Sequence, residues 1–481
     1  MNRKIVLKMT GNILFLEGVM LLIPLICSLI YGEKNSIFSF LITMAITLSV
    51  GLVLSTLFRT KDREVFAREG FAIVALSWLS MSIFGALPFV LSGSISSYVD
   101  AFFETVSGFT TTGATILSGS QIESMSRGLL LWRSFTHWIG GMGVLVFVMA
   151  IFPSESGRSI HIMRAEVPGP VVGKLVPKIR ETAKILYLIY VALTAAMVIF
   201  LLFGGMSFYE SIVHSLATAG TGGFGIKADS IGGYSSYIQW VVAVFMLLFG
   251  VNFNLYYLIL VGKVRSAFKS SELWVYFGIV AAAVVTIGIN VSNLFSSFEE
   301  IARHSFFQVS AIMTTTGFTT TDFTAWPELS KMIIIILMFV GGMAGSTAGG
   351  LKVSRIVILF KTVKRDLKKM IHPRSVGVVK HEGKTVDDET IANVSVYFVV
   401  YFIIFFTAML LISFEPFGFE TSFSAVASCF NNIGPAFGTA STNFTSFSDF
   451  STIILSIVML LGRLEIFPIL LSFAPSTWLK K

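Results

Sequence analysis

The sequence is poor in charge, cysteine and histidine. Only 13% of its 481 residues are charged, against roughly 25% in a typical soluble domain. The two cysteines, Cys27 and Cys429, stand in apolar surroundings and offer no disulfide framework, metal cluster or redox pair. The six histidines are scattered, with no pair at ligand spacing, which argues against zinc chemistry. These absences argue against a soluble domain, an enzyme with clustered catalytic groups and a covalent cofactor.

Apolar residues are correspondingly abundant. They make up 54% of the chain, and the net charge is +8. Runs long enough to cross a bilayer recur along the whole length. A basic balance could indicate nucleic acid binding, but cytoplasmic loops rich in lysine and arginine explain it more simply. No typical signal-peptide core follows the basic N-terminus. We therefore predict an all-α integral membrane protein that contacts lipid and no nucleic acid.

Four short polar segments, each bearing a glycine, recur at intervals of roughly one hundred residues. Each follows an apolar run of about ten residues and precedes a loop and a long hydrophobic stretch. A repeat of this kind predicts four quasi-equivalent units around one axis. The segments are Thr110, Thr111, Thr112 and Gly113; Gly220, Thr221, Gly222 and Gly223; Thr314, Thr315, Thr316 and Gly317; and Asn431, Asn432, Ile433 and Gly434.

The predicted topology has ten crossings and a pseudo-fourfold pore. Ile13–Ile30 and Ile37–Phe58 form an N-terminal hairpin outside the repeat. Each unit then has a crossing (M1), a short pore helix that does not cross, the polar segment and a second crossing (M2). The boundaries are 1–69 for the hairpin and 70–180, 181–269, 270–390 and 391–481 for the units. The crossings and pore helices are Phe71–Leu91, Tyr98–Phe109 and Leu129–Phe152; Ile185–Phe203, Phe208–Ala219 and Tyr237–Val261; Leu273–Ile289, Phe298–Met313 and Lys331–Phe360, broken in its middle; and Val394–Ile412, Phe419–Phe430 and Ser451–Phe473.

The distribution of charge supports this topology independently. Of the 35 lysines and arginines, 28 fall in the segments assigned to the inner side. The acidic residues divide almost evenly between the two sides. This is the positive-inside pattern, and it predicts cytoplasmic N- and C-termini with all four polar segments on the outer side.

The polar segments have the composition of an ion selectivity filter. A potassium ion entering a narrow pore exchanges its hydration shell for rings of backbone carbonyls. Such rings need extended or left-handed backbone, which glycine permits. Any one segment could instead be a polar turn that ends a helix, but four at matched positions favour the filter. Potassium is expected at Thr111, Thr112, Gly220, Thr221, Thr315, Thr316, Asn432 and Ile433.

The segments and their flanks resemble the Trk, Ktr and HKT superfamily of potassium transporters, specifically the TrkH type, over nearly the whole chain. The matching motifs are Ser107–Thr115, Thr221–Phe224, Thr314–Asp322 and Asn431–Gly438. The extra hairpin fits the TrkH form. The resemblance implies a bacterial inner-membrane uptake subunit that forms homodimers with one pore per subunit. It also implies potassium preference, because Gly113 stands where sodium-selective plant relatives have serine.

A glycine-rich stretch interrupts the second crossing of the third unit. Seven of the ten residues in Gly341–Gly350 are glycine or alanine, and glycine costs about 1 kcal/mol per site in a helix. The alternatives are close helix packing through small residues and a nucleotide-binding loop, which Lys352 does not fit. The resemblance implies an intramembrane loop beneath the filter, with Arg463 projecting into the pore; a structural role for Arg463 on helix-end carbonyls is the alternative. The predicted gate is Gly345, Ser346, Thr347, Ala348, Gly349, Gly350 and Arg463.

Other charged residues in the units receive weaker assignments. We interpret Arg133, His137 and Trp138 as packing or interface residues and assign no chemistry to them. Carboxylates early in the pore helices could cap those helices or attract cations to the pore mouth. These carboxylates are Glu104, Glu210, Glu299, Glu300 and Glu420.

The segment Leu351–Ile391 carries ten lysines and arginines, several of them within Lys364–Arg374. They could serve topology or bind anionic lipid. The resemblance implies instead a docking site for a cytosolic, nucleotide-binding TrkA-like ring. The chain has no dinucleotide fingerprint, so any nucleotide would bind only through that partner.

We therefore predict a potassium-selective conducting subunit, gated by the intramembrane loop and by the regulatory partner, and no enzyme. The alternative is an alternating-access potassium symporter coupled to protons or sodium. Such coupling needs titratable groups near the midplane, where Glu17 and Glu465 are the acidic candidates.

Overall fold

The computed structural model describes residues 1–58, 66–143, 179–375 and 377–478. In these ranges the regular structure is helical apart from a hairpin of two short antiparallel strands, β1 (Lys380–His381) and β2 (Lys384–Thr385).

The N-terminal region is a pair of long antiparallel helical spans. The first comprises α1 (Arg3–Met20) and α2 (Leu22–Tyr31), and the second is α3 (Lys34–Leu57). They pack closely through glycine: a Cβ at Gly51 would lie 2.6 Å from the backbone nitrogen of Phe15. Small residues bring membrane helices together in this way.

The four units repeat one order of elements: a long helix, a short helix, a polar segment and a second helix, which is interrupted in the second, third and fourth units. The first unit has α4 (Ala67–Gly85), α5 (Leu87–Leu91), α6 (Tyr98–Phe109), α7 (Gly119–Ser124) and α8 (Arg127–Gly141). The second has α9 (Ile179–Phe203), α10 (Phe208–Ala219), α11 (Ser236–Phe249), α12 (Phe253–Leu260) and α13 (Val264–Phe268).

The third unit has α14 (Ser271–Asn290), α15 (Phe298–Met313), a 3₁₀ turn (Phe323–Ala325), α16 (Glu328–Val340), α17 (Val353–Ile371) and the strand hairpin. The fourth has α18 (Asp388–Ile412), α19 (Phe419–Asn431), a 3₁₀ turn (Gly438–Ala440), α20 (Asp449–Arg463), α21 (Phe467–Phe473) and α22 (Pro475–Trp478).

The short helices α6, α10, α15 and α19 contain 12 to 16 residues. At 1.5 Å per residue they extend about 18–24 Å, less than the roughly 30 Å of a bilayer core. Serine caps start three of them, as Ser97, Ser207 and Ser297 each accept a hydrogen bond from a backbone N–H in the first turn.

Among the described residues, six helical spans have the length and hydropathy to cross a membrane, or up to eight if each of two bent helix pairs is one span. The crossings predicted at Tyr237–Val261 and Ser451–Phe473 are each a bent pair of helices. The first bends by 91° between α11 and α12, and the second by 117° between α20 and α21. Arg463 is therefore the last residue of a helix and not an interior one. The break predicted within Lys331–Phe360 is observed at residues 341–352, and the second half of Leu129–Phe152 lies outside the described residues.

Large apolar side chains occur both inside and outside this fold. Trp78, Trp132 and Phe40 are fully buried, whereas Phe38, Leu188 and Ile289 lie exposed on long helices. An exposed apolar surface of this extent is typical of a protein embedded in lipid.

The glycine packing of the hairpin generates a test of stability. Gly51→Leu should destabilise the protein by about 1–3 kcal/mol, because the added side chain overpacks the contact with α1. Gly278→Leu is the matched control, since Gly278 lies in α14 with open space around its Cα. Thermal unfolding of both variants in detergent would measure the effect; equal melting temperatures would refute the close-packing interpretation.

Candidate functional site

The four polar segments share one backbone conformation. The second residue of each is left-handed: Thr111, Thr221, Thr315 and Asn432 have φ values of 56°, 57°, 56° and 56°. Non-glycine residues seldom adopt this region. Four occurrences at matched positions show that the segments are structurally equivalent.

Hydrogen bonds explain the shared conformation. The residue after each left-handed position donates its N–H to a carbonyl five residues back, which is the Schellman ending of a helix. The chain therefore leaves each short helix by the same sharp turn. The donors and acceptors are Thr112 to Ser107 (2.9 Å), Gly222 to Ala217 (2.9 Å), Thr316 to Ala311 (2.8 Å) and Ile433 to Ser428 (3.0 Å).

The segments meet in a closed ring, which we call the glycine ring. Each segment's last glycine lies against the carbonyl oxygen of the residue before the last glycine in the next segment. A Cβ at the glycine would come within 1.9 Å of that oxygen at three borders and 2.7 Å at the fourth, so no side chain fits without displacement. The contacts run from Gly113 to Gly222, from Gly223 to Thr316, from Gly317 to Ile433 and from Gly434 back to Thr112.

Side chains brace the ring from behind. The hydroxyls of Thr110 and Thr112 are 2.8 Å apart, as are those of Thr314 and Thr316. Asn432 donates through Nδ2 to the Thr112 hydroxyl at 2.9 Å, which joins the fourth segment to the first. These hydroxyls and the Asn432 amide therefore stabilise the ring itself.

The second segment has a different support. Gly222 occupies the position of Thr112, Thr316 and Ile433, and a Cβ there would lie 2.3 Å from the His137 ring. The imidazole of His137 thus fills the space of the missing side chain. It also stacks on Phe224 at 4.1 Å between ring centroids. The packing role predicted for His137 is therefore specifically a support of the ring.

A cavity of about 120 Å³ lies where all four ring glycines meet. Its lining also includes Arg133 and Lys227. The Lys227 ammonium sits 3.8 Å from the centre of the Tyr234 ring. Within the described residues, no group of His, Cys, Asp or Glu could hold a metal ion.

Residues 341–352, which we call the intramembrane loop, pack on the broken helix of the second unit. The break between α11 and α12 frees main-chain groups, and the loop supplies their partners. Met343 donates to the Gly250 carbonyl (3.0 Å), Thr347 to that of Phe249 (3.4 Å), and Phe253 to that of Gly345 (3.0 Å).

The loop also contacts the ring directly. The Gly349 N–H donates to the hydroxyl of Thr315 at 2.7 Å. A Cβ at Gly349 would lie 2.5 Å from the Asn431 carbonyl oxygen. One carboxylate oxygen of Glu272 accepts from the N–H groups of Ala344 (2.9 Å) and Ser354 (3.1 Å) and so holds the loop near both ends.

Arg463 joins three units. Its guanidinium donates to the Thr347 carbonyl in the loop at 2.8 Å. It also donates to the carbonyls of Gly140 (2.5 Å) and Gly141 (2.8 Å) at the end of α8. The side chain is only 8% exposed. Arg463 therefore bonds helix-end carbonyls, which is the structural role considered for it from sequence, and also contacts the loop.

Sequence reasoning assigned no role to two further cations, Lys352 at the end of the loop and Arg355 shortly after it. Lys352 is buried with φ of 67°, and its ammonium donates to the Ala348 carbonyl. Arg355 pairs with Glu465 and lies 4.0 Å from the centre of the Tyr397 ring. A lysine two residues after the glycine-rich stretch was the available signal for the first. Nothing local indicates the second, because its partner is 110 residues away.

The carboxylates of the short helices have different positions. Glu210 is in a capping box with Ser207, and Glu300 accepts from the backbone of Ser296. Glu299 pairs with Arg303 at 2.8 Å. Glu104 is fully buried and neither caps its helix nor lies at the mouth. Arg133, interpreted from sequence as a packing residue, is its partner.

Comparison with known proteins agrees with this architecture. A family profile, TrkH, described as "Cation transport protein", matches residues 36–274 and 263–480. The Trk system potassium uptake protein TrkH of Escherichia coli K12 is 37% identical over 99% of this chain and 100% of its own length. TrkG of the same strain is 33% identical over 99% of this chain and 98% of its own. The crystal structure of the potassium transporter TrkH from Vibrio parahaemolyticus superposes with a TM-score of 0.90 and 32% identity over all of both chains.

Proposed function

Because the chain belongs to the TrkH family of cation transport proteins, we propose that it conducts potassium selectively through the glycine ring. Full-length similarity to potassium uptake proteins makes it a multi-pass membrane subunit of a potassium transporter. The prediction of the family is confirmed, as is the prediction that the chain is not an enzyme. The observation that carries the finer proposal is the closure of four equivalent segments through glycine–carbonyl contacts.

In this proposal the protein supplies carbonyl oxygens in place of water. Potassium, the cargo, loses its hydration shell in the ring and is bound by backbone oxygens. The positions proposed to coordinate it are those expected from sequence. The short helices point their C-terminal ends, which carry partial negative charge, at the ring and so favour a cation. No cofactor takes part, and the proposed setting is the bacterial inner membrane with both termini cytoplasmic.

Gly113→Ser tests selectivity. The added Cβ would meet the Gly222 carbonyl and must displace it. Sodium permeability should therefore rise relative to potassium permeability. The rise should be about tenfold if the contact at this position accounts for about 1.4 kcal/mol of the discrimination between the two ions. The measurement is the reversal potential in mixed potassium and sodium. Gly205→Ser is the control, since Gly205 has a similar φ of 82° but open space around it. Equal permeability to both ions in the wild type would contradict the proposal.

We further propose that the intramembrane loop and Arg463 close the pore beneath the ring. The loop touches the third and fourth segments, and Arg463 fastens it to the first unit. A buried guanidinium and the Lys352 ammonium in this position place positive charge beside the cation path, which opposes potassium entry.

A shared gate predicts non-additive effects. Deleting residues 345–349 should raise potassium flux, and Arg463→Ala should raise it as well, because each removes the same fastening. The combination should not exceed the larger single effect. Rubidium uptake into liposomes would measure this, with Arg265→Ala, an exposed arginine on α13, as the control. Reduced uptake by well-folded deletion protein would show that the loop is structural.

A cytosolic partner is the third part of the proposal. Helix α17 continues to Ile371 and presents Lys364, Lys368 and Lys369 to solvent. We propose that a TrkA-like nucleotide-binding ring docks on Lys364–Arg374, with a homodimer of this chain as the membrane component. The relatives are named as members of a "Trk system", which fits an assembly of several components.

Reversing the charge of Lys364, Lys368 and Lys369 to glutamate should weaken co-purification with such a ring by tenfold or more, about 1.4 kcal/mol, since complementary charge guides protein association. The matched control reverses Lys263, Arg265 and Lys269, three exposed cations elsewhere on the predicted inner side. If both triple variants bind the TrkA-like ring as the wild type does, the basic residues of Lys364–Arg374 serve only to set the membrane topology.

The symporter alternative requires titratable groups near the midplane of the membrane, and Glu17 and Glu465 are the acidic candidates. Glu465 is already paired with Arg355, whereas Glu17 is buried within the first span. Unitary currents in single-channel recording favour conduction, and a fixed stoichiometry of potassium with protons or sodium favours symport.

A further inference from the structure

A buried ion pair lies beside the glycine ring, between the first and second units. Arg133 Nε donates to Glu104 Oε1 at 2.7 Å. The side chains of Arg133 and Glu104 are 2% and 0% exposed. Glu104 lies in the short helix α6, and Arg133 lies in α8, the second helix of the same unit.

The pair holds both chain segments that leave the ring at this border. Glu104 accepts from the Thr115 hydroxyl and from the Ile116 N–H, each at 3.0 Å. Arg133 donates to the Gly225 carbonyl at 3.2 Å and to the Thr115 hydroxyl at 3.3 Å. Thr115 and Gly225 occupy equivalent positions, each two residues beyond a ring glycine.

A second path leads from Arg133 into the ring itself. The guanidinium lies 4.0 Å from the centre of the Phe224 ring. Phe224 stacks on His137, whose imidazole fills the space beside Gly222. Gly222 is the residue whose carbonyl oxygen meets Gly113 at the first border of the ring. Displacement of Arg133 would therefore act on the contact that closes this border.

The segments that follow the ring glycines are joined at the other borders by neutral contacts, while the ion pair of Glu299 and Arg303, earlier in α15, joins the third unit to the second through Trp240 and Gln239. The Ile231 N–H donates to the Thr319 carbonyl at 3.1 Å between the second and third units. The rings of Phe323 and Phe437 meet at 5.2 Å between the third and fourth. Phe444 donates to the Thr115 carbonyl at 2.8 Å between the fourth and first.

The short helices are also unequal at the position of Glu104, nine residues before the ring glycine. The other three units have His214, Gln308 and Ala425 there, all buried. An ion pair in the interior seldom adds net stability over apolar residues of the same volume, because desolvation opposes the attraction. Its many contacts with the ring's flanks therefore indicate a role in geometry.

We propose that Glu104 and Arg133 are positioning residues for ion selectivity, which fix the first and second segments relative to each other. The inference rests on the proposed function of the glycine ring. Neither side chain needs to touch the ion. Glu104 also neutralises the charge of Arg133, whose side chain lines the cavity above the ring glycines.

The test is the potassium-to-sodium permeability ratio of the Glu104→Gln/Arg133→Met double variant in liposomes. Changing both residues avoids leaving one buried charge without its partner, which would itself unfold the protein. The variant should conduct, but with a permeability ratio lowered about threefold to tenfold, as is typical of contacts that act through a packed network. Thr115→Val, which removes only the hydroxyl shared by the two residues, should lower the ratio in the same direction.

The control is Glu328→Gln/Lys331→Met, an ion pair within α16 of the third unit whose Glu328 side chain is 86% exposed. Its permeability ratio should equal that of the wild type. If the double variant at Glu104 and Arg133 conducts with wild-type selectivity, the inference is overturned. If that variant fails to fold, Thr115→Val decides the matter, and an unchanged ratio there overturns the inference.

Wild type and Gly113→Ser, measured in parallel, separate the two proposals. A selective wild type and a less selective Gly113→Ser uphold the ring, whatever the ion-pair variants show. A wild type without selectivity refutes the ring and the positioning role together.

Discussion

This structure depends on hydrogen-bond partners for the backbone groups that are left unpaired where helices end or break within an apolar chain. Each such N–H or carbonyl costs several kcal/mol if it is left without a partner in hydrocarbon. Four short helices end at the glycine ring, and the second helices of all four units end or bend at glycine: Gly141, Gly250, Gly341 and the Gly462–Arg463 pair. The architecture is the set of contacts that gives these groups partners.

The partners come from neighbouring units and so tie the four units together. The intramembrane loop of the third unit satisfies the break in the second. Arg463 of the fourth unit satisfies helix-end carbonyls of the first and the loop carbonyl of Thr347. A charged donor makes stronger hydrogen bonds than a neutral one, and Arg463 makes several of them at once. The residue that gives these carbonyls a partner is therefore also one that ties the loop to the first unit.

The sequence was most informative where local pattern decides structure. The bounds of α10 and α15 were predicted to the residue, because a capping serine begins each helix and a polar glycine-bearing segment follows it. The break at 341–352 was visible as a cluster of glycines. The bend after Phe249 was not, because Gly250 alone does not end a helix; the bend depends on the loop that takes the Phe249 and Gly250 carbonyls. The sites assigned to potassium and to the gate remain predictions.

Pairs distant in sequence escaped detection for the same reason. Glu104 and Arg133 are 29 residues apart, and each looked ordinary: one as a helix carboxylate, the other as a packing residue. Only the return of α8 alongside α6 places them together. The hairpin of β1 and β2 was also missed. Its Glu382, at the turn, accepts from the N–H of Glu272 at 2.8 Å, a contact between segments that no periodicity reveals.

The four units differ in the residues that surround the ring. Four identical chains around an axis would carry four loops and four arginines, which would crowd one pore. In the part of this chain that the structure describes, the loop belongs to the third unit, Arg463 to the fourth and the buried pair of Glu104 and Arg133 to the first. The ring glycines must remain alike because every border is closed by the same glycine–carbonyl contact. The positions around them are free to differ, since each is braced by its own neighbours. The four units are therefore alike where they close the ring and unlike where they brace it and hold the loop.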